Sequence, residues 1–421
     1  MSEGNKNERS DSRTTKPPNH KTTTYDIAVL GGGLAGLSAL YHLQRAGKLA
    51  GKSVVLVDPG GRKTAHDRSW SYWEAEPGPF EELVYHRWPV VTVHDGERNL
   101  ECDIGPYVYK LIRSTEFYAH VNEVIDEIAG LERVTAKAED VEAVGEEVRF
   151  TAGGTEYTAN FAFSSLPLHL RPRLLPEKDA VPTRQGRNSG PRQIKQPYLD
   201  QHFRGWFVET EEDTFDPGRA ALMDFRTPQH GEARFFYVMP FSKRRALVEI
   251  AIFSNNHLTV PEYDGLLKTY IHDHWTTGKY TITHTEGGNI PMTTYPFPTR
   301  DRNLIYIGMR GGATRPSTGY TFLALQRQLL TLANDFPTPG KLAPWPARHI
   351  MYDATLLRIL QNGDLPADTL FVDMFDTNPP SRVLAFLNGE TSFAEELSFM
   401  WTTDIGLFGR RFVSEAVRRY M

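Results

Sequence analysis

Glu249 lies in Ala246-Leu247-Val248-Glu249-Ile250-Ala251-Ile252-Phe253, where it is the sole ionisable side chain among eight residues. If this octapeptide is extended, Leu247, Ala251 and Phe253 share the glutamate's face, and the opposite face is apolar as well. Desolvation of that kind raises a carboxylic acid's pKa by up to ~3–5 and keeps a proton on it at neutral pH, as a general acid requires. A rise of ~3 costs about 4 kcal/mol of ionisation free energy, so a glutamate here needs either a use or a partner. An ion pair with Arg226 or Arg234 is the competing reading. Asp224 and Arg226 alternate with Met223 and Phe225 and so share one strand face. There they either second a proton transfer, position a cofactor ring, or form a structural ion pair.

A second kind of chemistry is marked by glycines. Gly31, Gly33 and Gly36 satisfy GxGxxG between the run Tyr25 to Leu30 and the helical spacing of Leu37, Leu40, Tyr41 and Leu43. Each glycine has a geometric reason: a tight turn, close approach of backbone to a pyrophosphate, and close packing of helix on strand. Val54 to Val57 follows and stops at Asp58, where a carboxylate can accept ribose hydroxyl hydrogen bonds. NAD and FAD share this fingerprint. A later glycine turn, Gly308, Gly311 and Gly312, follows the run Leu304 to Ile307 and precedes a helix expected from Thr318, with Thr318 and Gly319 completing the cofactor-binding set. A late strand, turn and helix returning to the first unit cover the ribityl and isoalloxazine end in large flavoprotein folds, so FAD is favoured over NAD.

Positioning these groups takes more than one core, because 421 residues exceed the usual single-core size. The predicted fold class is α/β: a doubly wound, Rossmann-like FAD-binding domain, an antiparallel-sheet substrate domain and a helical C-terminal region. Residues 1–24 read as a disordered tail. Residues 25–165 form the FAD-binding domain, with an insertion at 66–106 that contributes to the substrate region. The substrate domain spans 166–300, segment 301–334 returns to the FAD-binding domain, and 335–421 is helical. Tyr109 to Ile128 is expected as one helix, a hairpin turn is expected at Gly153-Gly154, and residues 181–197 as a mobile loop. Strands are expected at Phe161 to Phe163, Gly205 to Glu209, Ala220 to Arg226, Arg234 to Met239 and Ala246 to Phe253.

Composition excludes several classes. The net charge of −5 gives no global basic field for a nucleic acid. No apolar run approaches the ~20 residues that span a bilayer. The single cysteine, Cys102, supplies no disulfide framework and favours a cytosolic setting. His272-Asp273-His274 sits in a polar stretch and reads as solvent-facing rather than as a metal site. Phe408, Phe412, Val413, Ala416, Val417 and Tyr420 recur at helical spacing, with Arg410, Arg411, Arg418 and Arg419 around the other side. That pattern suits either a helix docked on its own domain or one lying on anionic lipid, the latter placing the chain peripherally on the inner face of the cell membrane.

From about Tyr25 to its end, the chain resembles the bacterial lycopene cyclases, FAD-dependent enzymes that share a fold with aromatic hydroxylases and geranylgeranyl reductases. The resemblance rests on four blocks: Asp67 to Glu74, Gln201 to Trp206, Met223 to Arg226, and Arg315 to Phe322. The family's catalytic strand matches at Pro240-Phe241-Ser242 and Glu249, whereas Ile250 and Ala251 stand where polar residues are usual. The strand Phe161 to Ser165 also lacks the family's usual aspartate.

The resemblance implies an isomerase, an intramolecular lyase that closes each acyclic end of lycopene into a β-ionone ring, giving γ-carotene and β-carotene. An acid protonates the terminal double bond, the neighbouring double bond closes on the tertiary cation, and a proton leaves. It also implies reduced FAD without net electron transfer, with NAD(P)H as reductant. Phe203, Trp206, Phe207, Phe225, Phe235, Phe236 and Tyr237 are the candidate aromatic lining, since ring faces stabilise a cation by about 2 kcal/mol when water is excluded. Two alternatives stay open: a flavin monooxygenase or polyene reductase, which would consume NADPH in step with product, and a non-catalytic flavin-binding protein indifferent to Glu249→Gln.

Overall fold

The computed structural model describes residues 23–61, 66, 68–167, 196–340 and 342–420, with the side chains of 419 and 420 left aside. The expected tail up to residue 22, Asp67 and most of the expected 181–197 loop lie outside the described residues.

The first sheet is built on the βαβ unit. Thr23–Leu30 pairs in parallel with Val54–Val57 on one side and with Thr155–Ser164 on the other. Leu131–Val134 and Leu304–Tyr306 extend the parallel order outward. The first strand begins at Thr23, two residues before the apolar run, because Thr23 and Thr24 still find register partners in Tyr157 and Thr158. Helices Leu34–Arg45, Ser114–Asp126 and Phe322–Asp335 bury their apolar stripes on one face, against Ile27, Val29, Val54, Leu56, Phe163 and Ile305. The other face, with Ala28, Leu30, Val55 and Val57, is covered by an antiparallel ribbon that contributes Val148, Phe150 and Tyr157. Gly153 and Gly154, both at positive φ, turn that ribbon's hairpin.

The second sheet runs in the order Tyr280–Thr293, Tyr198–Thr210, Arg245–Ser254, Ala233–Pro240, Arg219–Asp224, Val90–His94, Asn99–Asp103, antiparallel except between Arg219–Asp224 and Val90–His94. Helix Val260–His274 packs on one of its faces through Tyr263, Leu267, Tyr270 and Ile271. The other face carries Phe235, Tyr237, Leu247, Ala251 and Phe253, and meets Trp73, Tyr109 and the helices around Phe371 and Leu384.

Two sequence expectations change. Val108–Arg113 is a strand, and the helix begins only at Ser114. Val-Tyr-Lys-Leu-Ile-Arg alternates as well as it winds, and pairing on both edges with Ser69–Glu74 and Val84–Trp88 decides for the strand. The later helix starts at Phe322 rather than Thr318, because Arg315 to Thr321 form a tight loop in which the Arg315 N–H donates to Tyr320 O and the Gly319 N–H to Arg315 O, both at 2.9 Å.

Candidate active site

At the nucleotide end, Gly31 sits at φ +106°, where a side chain is strained, and a Cβ on Gly36 would lie 1.9 Å from Gly31 O. Gly33 differs: nothing lies within 4 Å of where its Cβ would be. It is also the N-cap of Leu34–Arg45 and makes no side-chain cap, so the first-turn N–H groups open on to that space. Asp58 braces the turn, accepting from Gly32 N–H at 2.7 Å and Gly60 N–H at 2.8 Å, with lone pairs left for ribose hydroxyls. Gly308, at φ +66°, brings the second glycine turn against the first helix: its Cβ would lie 2.8 Å from that of Ala35. Gly311 packs on Tyr306 O, and Gly312 takes a left-handed φ of 78° beside Phe297. Gly31, Gly33, Gly36 and Asp58 of the first turn and Gly308, Gly311 and Gly312 of the second therefore form one cradle that suits a dinucleotide.

Thr318 and Gly319 lie farther along, where the loop crosses to the second sheet. A Cβ on Gly319 would meet Gln201 Oε1 at 2.0 Å. The loop is pinned from below by Arg315, fully buried, whose Nε donates to Asp353 Oδ1 at 3.0 Å, while Ser317 Oγ donates to the same oxygen at 2.8 Å. Pinned in this way, the loop presents Tyr320 to the sheet.

Gln201, Phe203, Gly205 and Phe207 project from the face that also bears Glu249, as the register shows: Gly205 lies opposite Glu249, and Glu249 opposite Tyr237. Glu249 is half-buried. Packing around it desolvates the carboxyl and raises its pKa well above the usual glutamate range, with the neighbouring charge of Glu286 acting in the same direction. Three tyrosines stand over it. Tyr109 Oη donates to Ser71 Oγ at 2.8 Å and lies 3.3 Å from Tyr320 Oη. Tyr320 in turn neighbours Tyr237. Burial pushes the Tyr109 hydroxyl up to about 12. Trp73 closes the cluster with its ring centroid 4.5 Å from that of Tyr320. The result is an acid with its proton held on, enclosed by aromatic faces and phenolic hydroxyls.

Asp224 and Arg226 are not part of that cluster. Asp224 pairs in register with Phe236, on the helix-covered face, and accepts from Tyr270 Oη at 2.5 Å. Arg226 Nε donates to Asp224 Oδ1 at 2.9 Å. This pairing, together with the Tyr270 bond, outweighs burial and holds the Asp224 carboxyl below its ordinary range. Arg226 is thus engaged with Asp224, and Arg234 with Glu232, so the arginines considered as partners for Glu249 serve other carboxylates. Of the seven aromatic candidates, Phe203, Phe207, Phe225, Phe235 and Tyr237 pack with the Glu249 face, whereas Trp206 and Phe236 belong to the helix side.

Sequence reasoning missed Glu286 and Tyr109 as site residues, and quoted Ser71, Trp73 and Tyr320 only as parts of motifs. Glu286 lies opposite Gly205 on the strand Tyr280–Thr293 and is buried. Its segment, Thr-His-Thr-Glu-Gly-Gly, has no apolar alternation to mark a strand; the signal available was an acidic residue followed by two glycines, which leave room on the sheet surface.

A family model described as lycopene cyclase protein matches residues 26–409. The chain belongs to the lycopene cyclase family. Among curated proteins, the neoxanthin synthases of the chloroplast from Solanum tuberosum and Solanum lycopersicum are each 24% identical to this cyclase-family chain, over 322 and 325 residues. Each match covers 72% of this chain, which spans 58% of the length of these curated relatives. Solved structures share the fold: a geranylgeranyl bacteriochlorophyll reductase-like protein from Thermoplasma acidophilum (TM-score 0.58, 13% identity, 93% of this chain and 99% of that one) and a flavoprotein/dehydrogenase from Cytophaga hutchinsonii (TM-score 0.59, 12% identity, 93% and 100%). No helix among the described residues is long and apolar enough to cross a membrane.

Proposed function

We propose that this family member cyclises the acyclic ends of lycopene to β-ionone rings, with Glu249 as the acid. The observation that carries the reading is a proton-holding carboxyl on an aromatic-walled sheet face. Glu249 gives its proton to the terminal double bond; Phe203, Phe207 and Tyr237 exclude water and turn ring faces toward the cation. Tyr109 and Tyr320, tied to one another and through Tyr109 to Ser71, pack over the acid.

The glycine cradle fits FAD, with Gly31, Gly33, Gly36 and Asp58 toward its phosphates and ribose and Gly308, Gly311, Gly312, Thr318 and Gly319 toward its ring. Held there in reduced form, that cofactor would supply negative charge to a developing cation, with a nicotinamide cofactor as its reductant. Because no net oxidation occurs, NAD(P)H is needed only for priming.

A carotenoid is dissolved in membrane, and the C-terminal helices suit contact with lipid. Helix Ile405–Tyr420 docks through polar side chains, Arg358 Nε to Glu415 Oε1 at 2.7 Å and Arg411 Nη2 to Asp364 Oδ1 at 2.5 Å. Its apolar residues Ile405, Phe412, Val413 and Val417 point outward and continue the exposed stripe of Phe393, Leu397 and Trp401, the last 74% exposed. Arg410 and Arg418 flank them, which favours anionic headgroups.

Expression in lycopene-producing cells tests the reaction: cyclic carotenoid replaces lycopene for the parent chain and not for Glu249→Gln. Lycopene persisting beside soluble, flavin-loaded parent protein rejects it. Co-sedimentation with phosphatidylglycerol vesicles tests the surface, and unchanged binding by a Trp401→Ser, Val413→Ser double variant rejects it.

A further inference from the structure

The cyclisation proposed above needs a proton to leave as well as to arrive. We propose that Glu286 is the base that takes it, forming with Glu249 a carboxyl pair that passes a single proton across Gly205. The inference rests on the cyclase reading.

Gly205 is the register partner of both glutamates, Glu249 on one neighbouring strand and Glu286 on the other. The three residues therefore form one row across the sheet with all side chains on one face. With strands ~4.8 Å apart, the two glutamate Cα atoms are roughly 10 Å apart, and the missing side chain of Gly205 leaves the gap between them open. Glu249 fills that gap: a Cβ on Gly205 would lie 3.0 Å from Glu249 Oε2 and 3.3 Å from Glu249 Cβ, so the carboxyl leans over the glycine toward the Glu286 strand. Next along the sheet, the Phe203 ring lies over Gly288, whose Cβ would meet Phe203 Cζ at 2.8 Å, and walls the pair from that side. Tyr237 stands at the far end of the row and His284 two residues before Glu286. Like-charge interaction with Glu286 is among the causes that hold a proton on Glu249, as expected for two carboxyls that cannot both ionise.

The steps balance without an outside reagent. The Glu249 O–H bond breaks as a C–H bond forms at the terminal alkene carbon. The neighbouring π pair makes the ring C–C bond. A C–H bond beside the resulting cation then breaks, its electrons become the ring double bond, and the proton goes to the Glu286 carboxylate. Glu286 returns that proton to Glu249 over Gly205, and the pair is ready again. Which ring C–H bond faces Glu286 sets the position of the ring double bond, so the base also selects the isomer.

The test compares the full-length parent chain with Glu286→Gln, Glu286→Asp and Gly205→Ala. All are assayed on lycopene with reduced FAD, with products resolved by ring isomer, and each protein's infrared spectrum is recorded at neutral pH. Expected for Glu286→Gln is an unchanged KM, a kcat lower by about 100-fold, and rings whose double bond lies elsewhere. Glu286→Asp restores part of kcat and the parent isomer, and Gly205→Ala, which displaces the Glu249 carboxyl, lowers kcat with Glu286 intact. A protonated-carboxyl stretch is expected in the parent spectrum, lost in Glu249→Gln and shifted in Glu286→Gln. Parent kcat and isomer ratio in Glu286→Gln would overturn the proposal. If the parent leaves lycopene unchanged, the cyclase reading fails by itself; the carboxyl pair then stands or falls on the infrared band, and a band unmoved by Glu286→Gln removes it.

Discussion

The two faces of the seven-stranded sheet each hold a carboxyl within a few strands of the other, and the two are driven in opposite directions. Asp224, under helix Val260–His274, receives a guanidinium and a phenol and is held ionised. Glu249, on the other face, receives apolar side chains and a second glutamate, and its pKa is driven up. Burial alone raises both; the difference lies in what each face sets beside the acid. A charge made costly to remove braces a fold, while a carboxyl that keeps its proton has one to donate.

The largest expected effect separates these roles. Glu249→Gln keeps the shape and removes the proton donor, and should lower cyclisation by ~1,000-fold with no loss of melting temperature, measured by product formation and thermal unfolding. Asp224→Asn should do the reverse: leaving Arg226 without its carboxylate costs about 3 kcal/mol or more of stability, read by urea unfolding, while residual folded enzyme keeps its turnover. A large loss of kcat in well-folded Asp224→Asn enzyme would break the comparison.

Stability against pH sharpens it, with opposite signs for the two groups. The folded pKa of Asp224 is depressed, so its contribution is present above the unfolded value of 3.8 and is lost as pH falls through the folded pKa. The folded pKa of Glu249 is raised, so above the ordinary value of 4.5 the unfolded state loses its proton first, and stability falls as pH climbs toward the folded pKa. Asp224→Asn should therefore flatten the acid limb and Glu249→Gln the limb above 4.5, in denaturation series across pH. Activity should fall as pH rises through the Glu249 pKa. The smallest effect is expected of Tyr237→Phe, which removes one hydroxyl from the tyrosine cluster: a few-fold change in kcat and about 1 kcal/mol of stability, checked by the same two assays.

What the sequence disclosed follows from the range of the forces involved. The first βαβ unit was legible because a glycine turn, a 3.6-residue stripe and a buried four-residue strand are local patterns. Glu249 was legible because period-two alternation places it among Leu247, Ala251 and Phe253 whatever the rest of the chain does. Glu286 was not, since its strand is polar and glycine-rich and is held by the long ladder to Tyr198–Thr210, a partner remote in sequence. Val108–Arg113 was misread for a similar reason, its two neighbouring strands outweighing local propensity. The face on which Asp224 falls was also out of reach, because a bulge in its pairing with Ala233–Pro240 shifts the register on which face assignment depends.

Leu304–Tyr306 enters the first sheet beside Thr155–Ser164 only after the whole of the second sheet has passed in the chain. During synthesis the earlier strand waits with an open edge, and the second glycine turn does not yet exist. The nascent chain thus stays exposed to wrong pairing until Leu304–Tyr306 has left the ribosome, and long-range closure of this kind is slow. A ligand bridging the two turns would act as a rivet between early and late halves, favouring the closed product by mass action. Cofactor supply would then govern how much of the newly made chain reaches maturity, as well as how fast the mature protein works.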